Sequence, residues 1–280
     1  MSTNDRRHNK DDMAHLVQVG AGSGGMPVLD LVCRDQRITS VTLIEPDVYK
    51  QHNIVRHQFG CADVGQLKAE LARRWLADRR PDLSVEILPV DLLDPAHVDA
   101  INAAIDRADL GICAADNEPA KFHFDRLMRR RGIPWTLGEV LAGGIGGFVH
   151  WFVPGGPCYG CVASHLQRNA ATDNAKPPDY SAPGGPVVEA AIPASKAAIA
   201  VIAGLHAQIT LQLLDAGSAY NPGFTSLLFT LQQVAGVFDE SFRPRRFRIA
   251  RSPSCLICAE LAKPSGDLDQ ALADALNRLT

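Results

Sequence analysis

The stretch HLVQVGAGSGGMPVLDLVCR (15–34) decides the fold. Leu16, Val17 and Val19 read as a buried parallel strand ending at Gly20. Gly20-Ala21-Gly22-Ser23-Gly24-Gly25 then turns the chain, and the helix that follows carries Leu29, Val32 and Cys33 on one face. Strand, glycine turn and helix form the opening unit of a nucleotide-binding βαβ fold. Glu45 lies twenty residues beyond Gly25, at the tip of the second strand SVTLIE (40–45). The glycines let backbone approach phosphate, and an acid at that tip accepts from ribose hydroxyls. By itself the loop also suits a dinucleotide such as NAD, or a tight turn that binds nothing.

Outward from that unit, strands and helices alternate. SVEILPVDL (84–92) and ADLGICAAD (108–116) read as strands, and 65–79, 95–107 and 119–131 as helices, the last ending in a solvated Arg129–Arg131 run. IPWTLGEV and FVHWFV suggest two more strands around a glycine-rich bend, Gly138 to Gly147. A long apolar helix is expected from about Pro193 to Asp215, then strands in SLLFTLQQV and RRFRIAR and a short amphipathic helix at 266–279. The order predicts an α/β, Rossmann-like doubly wound, mostly parallel sheet. Residues 1–14 read as a disordered N-terminus, and 15–280 as one domain. Residues 168–187, rich in Pro, Gly, Ala and Asn, read as a long flexible loop, suited to act as a lid.

Of the 280 residues, 46% are hydrophobic and 21% charged, enough for a full core. The net charge of −3 gives no reason to expect nucleic acid or a membrane surface as partner. No run of about 20 apolar residues stands out as a membrane span, and the polar start carries no signal-peptide core.

Four of the seven cysteines form two C-x-x-C pairs, Cys158/Cys161 and Cys255/Cys258. Four thiolates in two close pairs suit a closed tetrahedral zinc site that staples the two regions together. Two buried or redox pairs are the alternative. Cys33, Cys61 and Cys113 sit in apolar contexts, a pattern that fits a reducing cytoplasm rather than a disulfide framework.

After Glu45-Pro46-Asp47-Val48 come His52-Asn53-Ile54-Val55-Arg56-His57-Gln58, then Asp63-Val64-Gly65-Gln66-Leu67-Lys68-Ala69, and Asp116-Asn117. With the glycine loop and the Cys pairs, this series over about 15–260 resembles the ThiF/MoeB/HesA family, adenylyltransferases whose fold is shared by enzymes that activate ubiquitin-like proteins. The resemblance implies ATP, Mg2+ and Zn2+ as cofactors. Gly20, Gly22, Gly24, Gly25, Glu45, Asp47, Asn53 and Asn117 would bind the nucleotide. Arg56 and Lys68 would stabilise phosphate charge and Asp116 would hold magnesium, which agrees with the chemistry of adenylation. His57 reads equally as a polar surface residue. The Gly138–Gly147 region would lie near a channel for the flexible C-terminal tail of a small protein.

Thioester-forming members carry a nucleophilic Cys in the loop before the long helix, and 168–187 has none. Cys33 and Cys113 are expected to be buried and inert, leaving Cys61 as the remaining candidate thiol. Only Arg6 and Arg7 would supply an arginine in trans. The expectation is ATP-dependent activation of the C-terminal carboxylate of a small ubiquitin-like or sulfur-carrier protein, without a thioester on this chain. A downstream thiol protein would take the acyl group, and the chain would be a homodimer. A peptide or tRNA-base carboxylate, an NAD-dependent oxidoreductase and a non-catalytic scaffold are the alternatives.

Overall fold

The computed structural model describes residues 13–166 and 194–259. Arg6 and Arg7, the 168–187 loop and the 266–279 helix therefore lie outside the described residues. The strands are β1 (Ala14–Val19), β2 (Ile38–Ile44), β3 (Ser84–Leu88), β4 (Leu110–Cys113), β5 (Trp135–Val140), β6 (Gly146–Phe152), β7 (Ser226–Thr230) and β8 (Pro244–Phe247). The helices are α1 (Gly25–Val32), α2 (Lys68–Arg79), α3 (Val98–Asp106), α4 (Glu118–Arg131), α5 (Tyr159–His165) and α6 (Lys196–Ala216).

The strands form one sheet in the order β3-β2-β1-β4-β5-β6-β7-β8. The pairings β3–β2, β2–β1, β1–β4 and β4–β5 are parallel. From β5 to β8 they are antiparallel, so the sheet is half-wound and then continued by hairpins. A tight turn over 142–144 joins β5 to β6, with Gly143 and Gly144 at positive φ, where side-chain-bearing residues are strained. Edge strand β8 is short and carries Pro244, Arg245 and Arg246, features that discourage pairing with another chain.

At β1 and β4, in the middle of the parallel part, both faces are buried, so β1 reads as an almost continuous apolar run. Leu16 faces a core with α1, α2 and α6, while Val17 and Val19 face a second core with α3, α4 and α5. The strand order turns back between β1 and β4. In such sheets the crevice outside the carboxyl ends of the strands at that point is where ligands bind.

Several boundaries differ from the sequence expectation. Ala14 already pairs with Ile38, so β1 begins inside the segment read as disordered. Helix α6 starts at Lys196, capped by the Ser195 hydroxyl accepting from Ala198 N at 3.1 Å. Residues 196–219 are long and apolar enough to cross a membrane by length and composition alone. More than half of that window is buried inside the protein, against α1, β5 and β6. The apolar character of α6 is therefore accounted for largely by the core.

Candidate active site

At the carboxyl ends of β1, β2, β4 and β5 lies an open cavity of about 1380 Å³. The chain reaches it first through the glycine loop. Gly20 has φ +91°, and a Cβ there would lie 2.7 Å from the Ala114 carbonyl oxygen, so turn and packing both require glycine. Gly22 and Gly24 differ: a Cβ on either would meet no protein atom within 4 Å, yet both line the cavity. Glycine there keeps clear a space next to backbone N–H groups and the start of α1, an arrangement that accepts phosphate. The observed loop thus fits a nucleotide.

The loop is gripped from both sides at Ala21. Its N–H donates to Glu45 Oε2 at 2.6 Å, and the other Glu45 oxygen accepts from Asp47 N at 2.9 Å. Glu45 therefore fixes the loop as well as lining the cavity. Burial raises its carboxyl above the usual range, opposed by the charge of Lys68 and by those two N–H groups. On the other side, His57 Nε2–H donates to the Ala21 carbonyl at 2.9 Å. His57 is buried against Tyr49 and Phe59, not at the surface. Lys196, in the first turn of α6, donates to the His57 carbonyl at 2.9 Å.

Lys68 is buried at the start of α2, and its ammonium meets the exposed Asp47 carboxylate at 2.6 Å. Its N–H also donates to the Asp47 carbonyl at 2.9 Å, so β2's tip and α2's first turn are joined twice. Asn53 is buried, with Oδ1 accepting from Lys50 N at 2.9 Å, so its Nδ2 is the end left to donate. Arg56 is half-buried and lines the same cavity, and Asp116 lines it from the segment that follows β4. Asn117 lines the cavity too, but its Oδ1 caps α4, accepting from Ala120 N at 2.9 Å. The structure thus brings Gly20, Gly22, Gly24, Glu45, Asp47, Asn53, Arg56, Lys68, Asp116 and Asn117 to one cavity. Gly25 lies behind the wall, where a Cβ would sit 2.2 Å from the Gly20 carbonyl oxygen.

Sequence reasoning missed a charged group on the opposite wall. Lys121, buried in α4, pairs with Glu118 at 2.7 Å and with Glu139 of β5 at 2.6 Å. Burial alone would depress the Lys121 ammonium, but the two carboxylates more than offset it and raise its pKa. The i,i+3 pair of Glu118 and Lys121 was legible in sequence; its burial beside Glu139 was not.

Two buried histidines set an acid limit on the fold. Burial lowers His57 to about 4 and His206 to about 3, from an ordinary 6.5. The unfolded chain therefore binds more protons between about 6.5 and 4, so stability is full above that window and falls as pH drops through it. Asp125, raised by burial to about 6, acts in the opposite sense but over a smaller shift. The expected result is a urea midpoint that falls between pH 7 and 4.5, and falls less in His57→Gln, where an amide N–H replaces the imidazole donor. A midpoint independent of pH would contradict it.

The four cysteines of the two pairs meet, their sulfurs all within 4.8 Å of one another. Cys158–Cys255 and Cys161–Cys258 are 3.5 Å apart and Cys158–Cys161 3.8 Å. Zinc–sulfur bonds of about 2.3 Å in a tetrahedron demand sulfur separations near 3.8 Å, so the set fits zinc. Ser252 N lies 3.4 Å from Cys161 Sγ, a donor suited to a bound thiolate. Gly160 sits close against the opposing pair, where a Cβ would lie 2.7 Å from the Ile257 side chain and force it to shift. Burial pushes the Cys158 and Cys161 thiols up. Cys33 and Cys113 are buried and pushed up to about 12 by burial, as expected of inert thiols. Cys61 is exposed in a short turn and is not among the residues lining the cavity.

The model of the ThiF family matches residues 7–256. The chain belongs to the ThiF family. Among curated relatives, it is 31% identical over 151 residues to the SAMP-activating enzyme E1 of Haloferax volcanii, and 30% identical over 154 residues to the sulfur carrier protein adenylyltransferase of Thermus thermophilus. The matches cover 53% of this chain in both cases, and about half of each relative, 53% and 55%. Among solved structures, E. coli MccB with ATP aligns at TM-score 0.63 and 20% identity, over 89% of this chain and 68% of that one. MccB alone aligns at TM-score 0.65 and 19% identity, over 92% and 68%. That likeness places the chain in the same fold.

Proposed function

We propose that this chain is an ATP-dependent adenylyltransferase acting in a reducing cytoplasm on the C-terminal carboxylate of a small ubiquitin-like or sulfur-carrier protein. What carries the reading is the convergence of the glycine loop, Arg56, Lys68 and Asp116 on one strand-end cavity. The names of the two curated relatives support the substrate class. In the reaction a substrate carboxylate oxygen forms a bond to the α-phosphorus of ATP, and the bond from that phosphorus to the bridging oxygen breaks. Pyrophosphate leaves carrying the electron pair. Negative charge therefore grows on the phosphates, where Arg56 and Lys68 stand to stabilise it. Asp116 is the carboxylate to hold magnesium, which would neutralise phosphate charge when bound.

Substrate-dependent exchange of labelled pyrophosphate into ATP tests the reading. Exchange with a small protein ending in a flexible tail supports it. Exchange only with a peptide or with tRNA would move the reaction to a different acceptor, and NAD binding without any effect of ATP would end the reading.

The acyl group passes to a thiol on a second protein. Four of the seven cysteines are gathered in the knuckle, Cys33 and Cys113 are buried, and Cys61 lies off the cavity wall. After incubation with ATP, magnesium and the cognate protein, a non-reducing gel is expected to show no thiol-sensitive conjugate. Such a conjugate, lost in Cys61→Ala, would make Cys61 the nucleophile.

The chain acts as a homodimer. Helix α6 leaves Ala200 and Val201 exposed on its outward side, with Val201 43% exposed, while its other side fills the core. Light scattering at micromolar concentration should give twice the mass of 30.2 kDa, and a monomer mass would contradict it.

A further inference from the structure

The four-cysteine knuckle and the cavity are joined by an unbroken line of buried polar contacts. Tyr159, between Cys158 and Cys161 in sequence, is wholly buried, with its ring edge-on to Phe122 at 4.9 Å. Its N–H donates to Asp125 Oδ1 at 3.1 Å, and its hydroxyl donates to Glu118 Oε2 at 2.7 Å. The other Glu118 oxygen takes Lys121, and Lys121 takes Glu139. The second Glu139 oxygen accepts from His150 Nε2 at 3.2 Å, and His150 Nδ1 meets Ser226 Oγ at 2.7 Å. Glu118, Lys121 and Glu139 line the cavity, and Glu118 stands two residues from Asp116.

Resting on the ATP reading above, we propose that Tyr159 is a positioning residue: its hydroxyl ties the knuckle to the first turn of α4 and thereby sets Asp116 in the cavity. The geometry gives the reason. The segment from Cys113 at the end of β4 to Glu118 includes no regular structure, so the direction of Asp116 depends on what holds the chain at either side. On one side β4 is held by the sheet. On the other, Asn117 caps α4 and Glu118 is held by Tyr159 and Lys121, both buried. Because Tyr159 sits between two ligands of the knuckle, its place is fixed by whatever fixes those cysteines. The knuckle then does more than staple the sheet extension. It sets one wall of the ATP site.

Tyr159→Phe removes only the hydroxyl and keeps the buried ring, so the fold and the cysteine cluster should persist. Calorimetric titration of the full chain with ATP, across a magnesium series and in chelator, reads the effect without needing the protein substrate. The expected result is about ten-fold more magnesium for half-maximal tightening, as for a displaced ligand. Metal-free ATP affinity, zinc content and melting temperature should stay at wild-type values. Glu118→Ala removes this link and the Lys121 pair together, so its shift should be at least as large, and adding Tyr159→Phe to it should add nothing, because the hydroxyl then has no carboxylate to hold. Wild-type magnesium dependence in Tyr159→Phe, additive effects in the double variant, or a shift accompanied by zinc loss would each overturn the inference while leaving the ATP reading intact. A wild-type chain that binds no ATP would remove both.

Discussion

Asp116→Ala should abolish pyrophosphate exchange, the largest effect expected of any single substitution in the cavity. The residue follows β4 in the cavity that the glycine loop also lines, where a hard oxygen ligand can reach a metal bound to phosphates. Among the described residues the Asp116 side chain caps no helix as Asn117 caps α4, so the variant should melt like wild type. Arg56→Ala and Lys68→Ala remove one charge-stabilising donor each, which costs about 10²–10³ in rate. Lys68→Ala should also lower stability, because Lys68 joins α2 to the tip of β2 through Asp47. That pair is half in solvent, so its contribution is small, on the order of 1 kcal/mol or less. Wild-type exchange by Asp116→Ala would move the metal elsewhere in the cavity and overturn the assignment.

Cys158→Ser should cost the protein its zinc and much of its thermal stability. A four-thiolate site of this kind binds with about 10 kcal/mol of apparent free energy at neutral pH, and that energy is shared with folding. Cys158 is buried at the start of α5 and lies 3.5 Å from Cys255, across 97 residues of sequence. Losing one ligand leaves three thiols in a buried cluster without the ion that holds them, so the hairpin strands β6 to β8 lose their staple. Metal analysis of purified protein and scanning calorimetry check this. Wild-type protein without zinc, or a Cys158→Ser variant that keeps it, would refute the site. If Tyr159 acts as proposed, magnesium-dependent ATP tightening should also suffer in Cys158→Ser, whereas Tyr159→Phe should affect ATP without touching zinc.

Much of the site was legible because its residues sit at positions that local pattern marks. Asp116 and Glu45 follow apolar runs short enough to be buried strands, and a residue just past such a run lies at the carboxyl edge of a parallel sheet. Lys68 opens a helix, and the C-x-x-C spacing brings two sulfurs to one point. His57 was not legible. One histidine in a polar stretch reads the same whether it faces water or lies beneath a loop, and only the packing of Tyr49 and Phe59 around it separates the two. Lys121 was hidden for the same reason: as an i,i+3 partner of Glu118 it looks like a solvent-facing helix residue, but it is 5% exposed.

The sequence by itself determined the βαβ opening, the glycine turn, the strand tips that bear the charged residues and the four-cysteine set. Each of these is a pattern of neighbours, set by periodicity, by the conformational freedom of glycine or by ligand spacing. The tertiary structure alone decided that β5 to β8 run antiparallel, that Lys196 reaches the carbonyl of His57 139 residues away, and that a tyrosine hydroxyl in the knuckle holds Glu118 across 41 residues. Such contacts join segments with no shared local signal. They exist only because burial of the apolar faces brings these polar groups together, where each must find a partner out of reach of water.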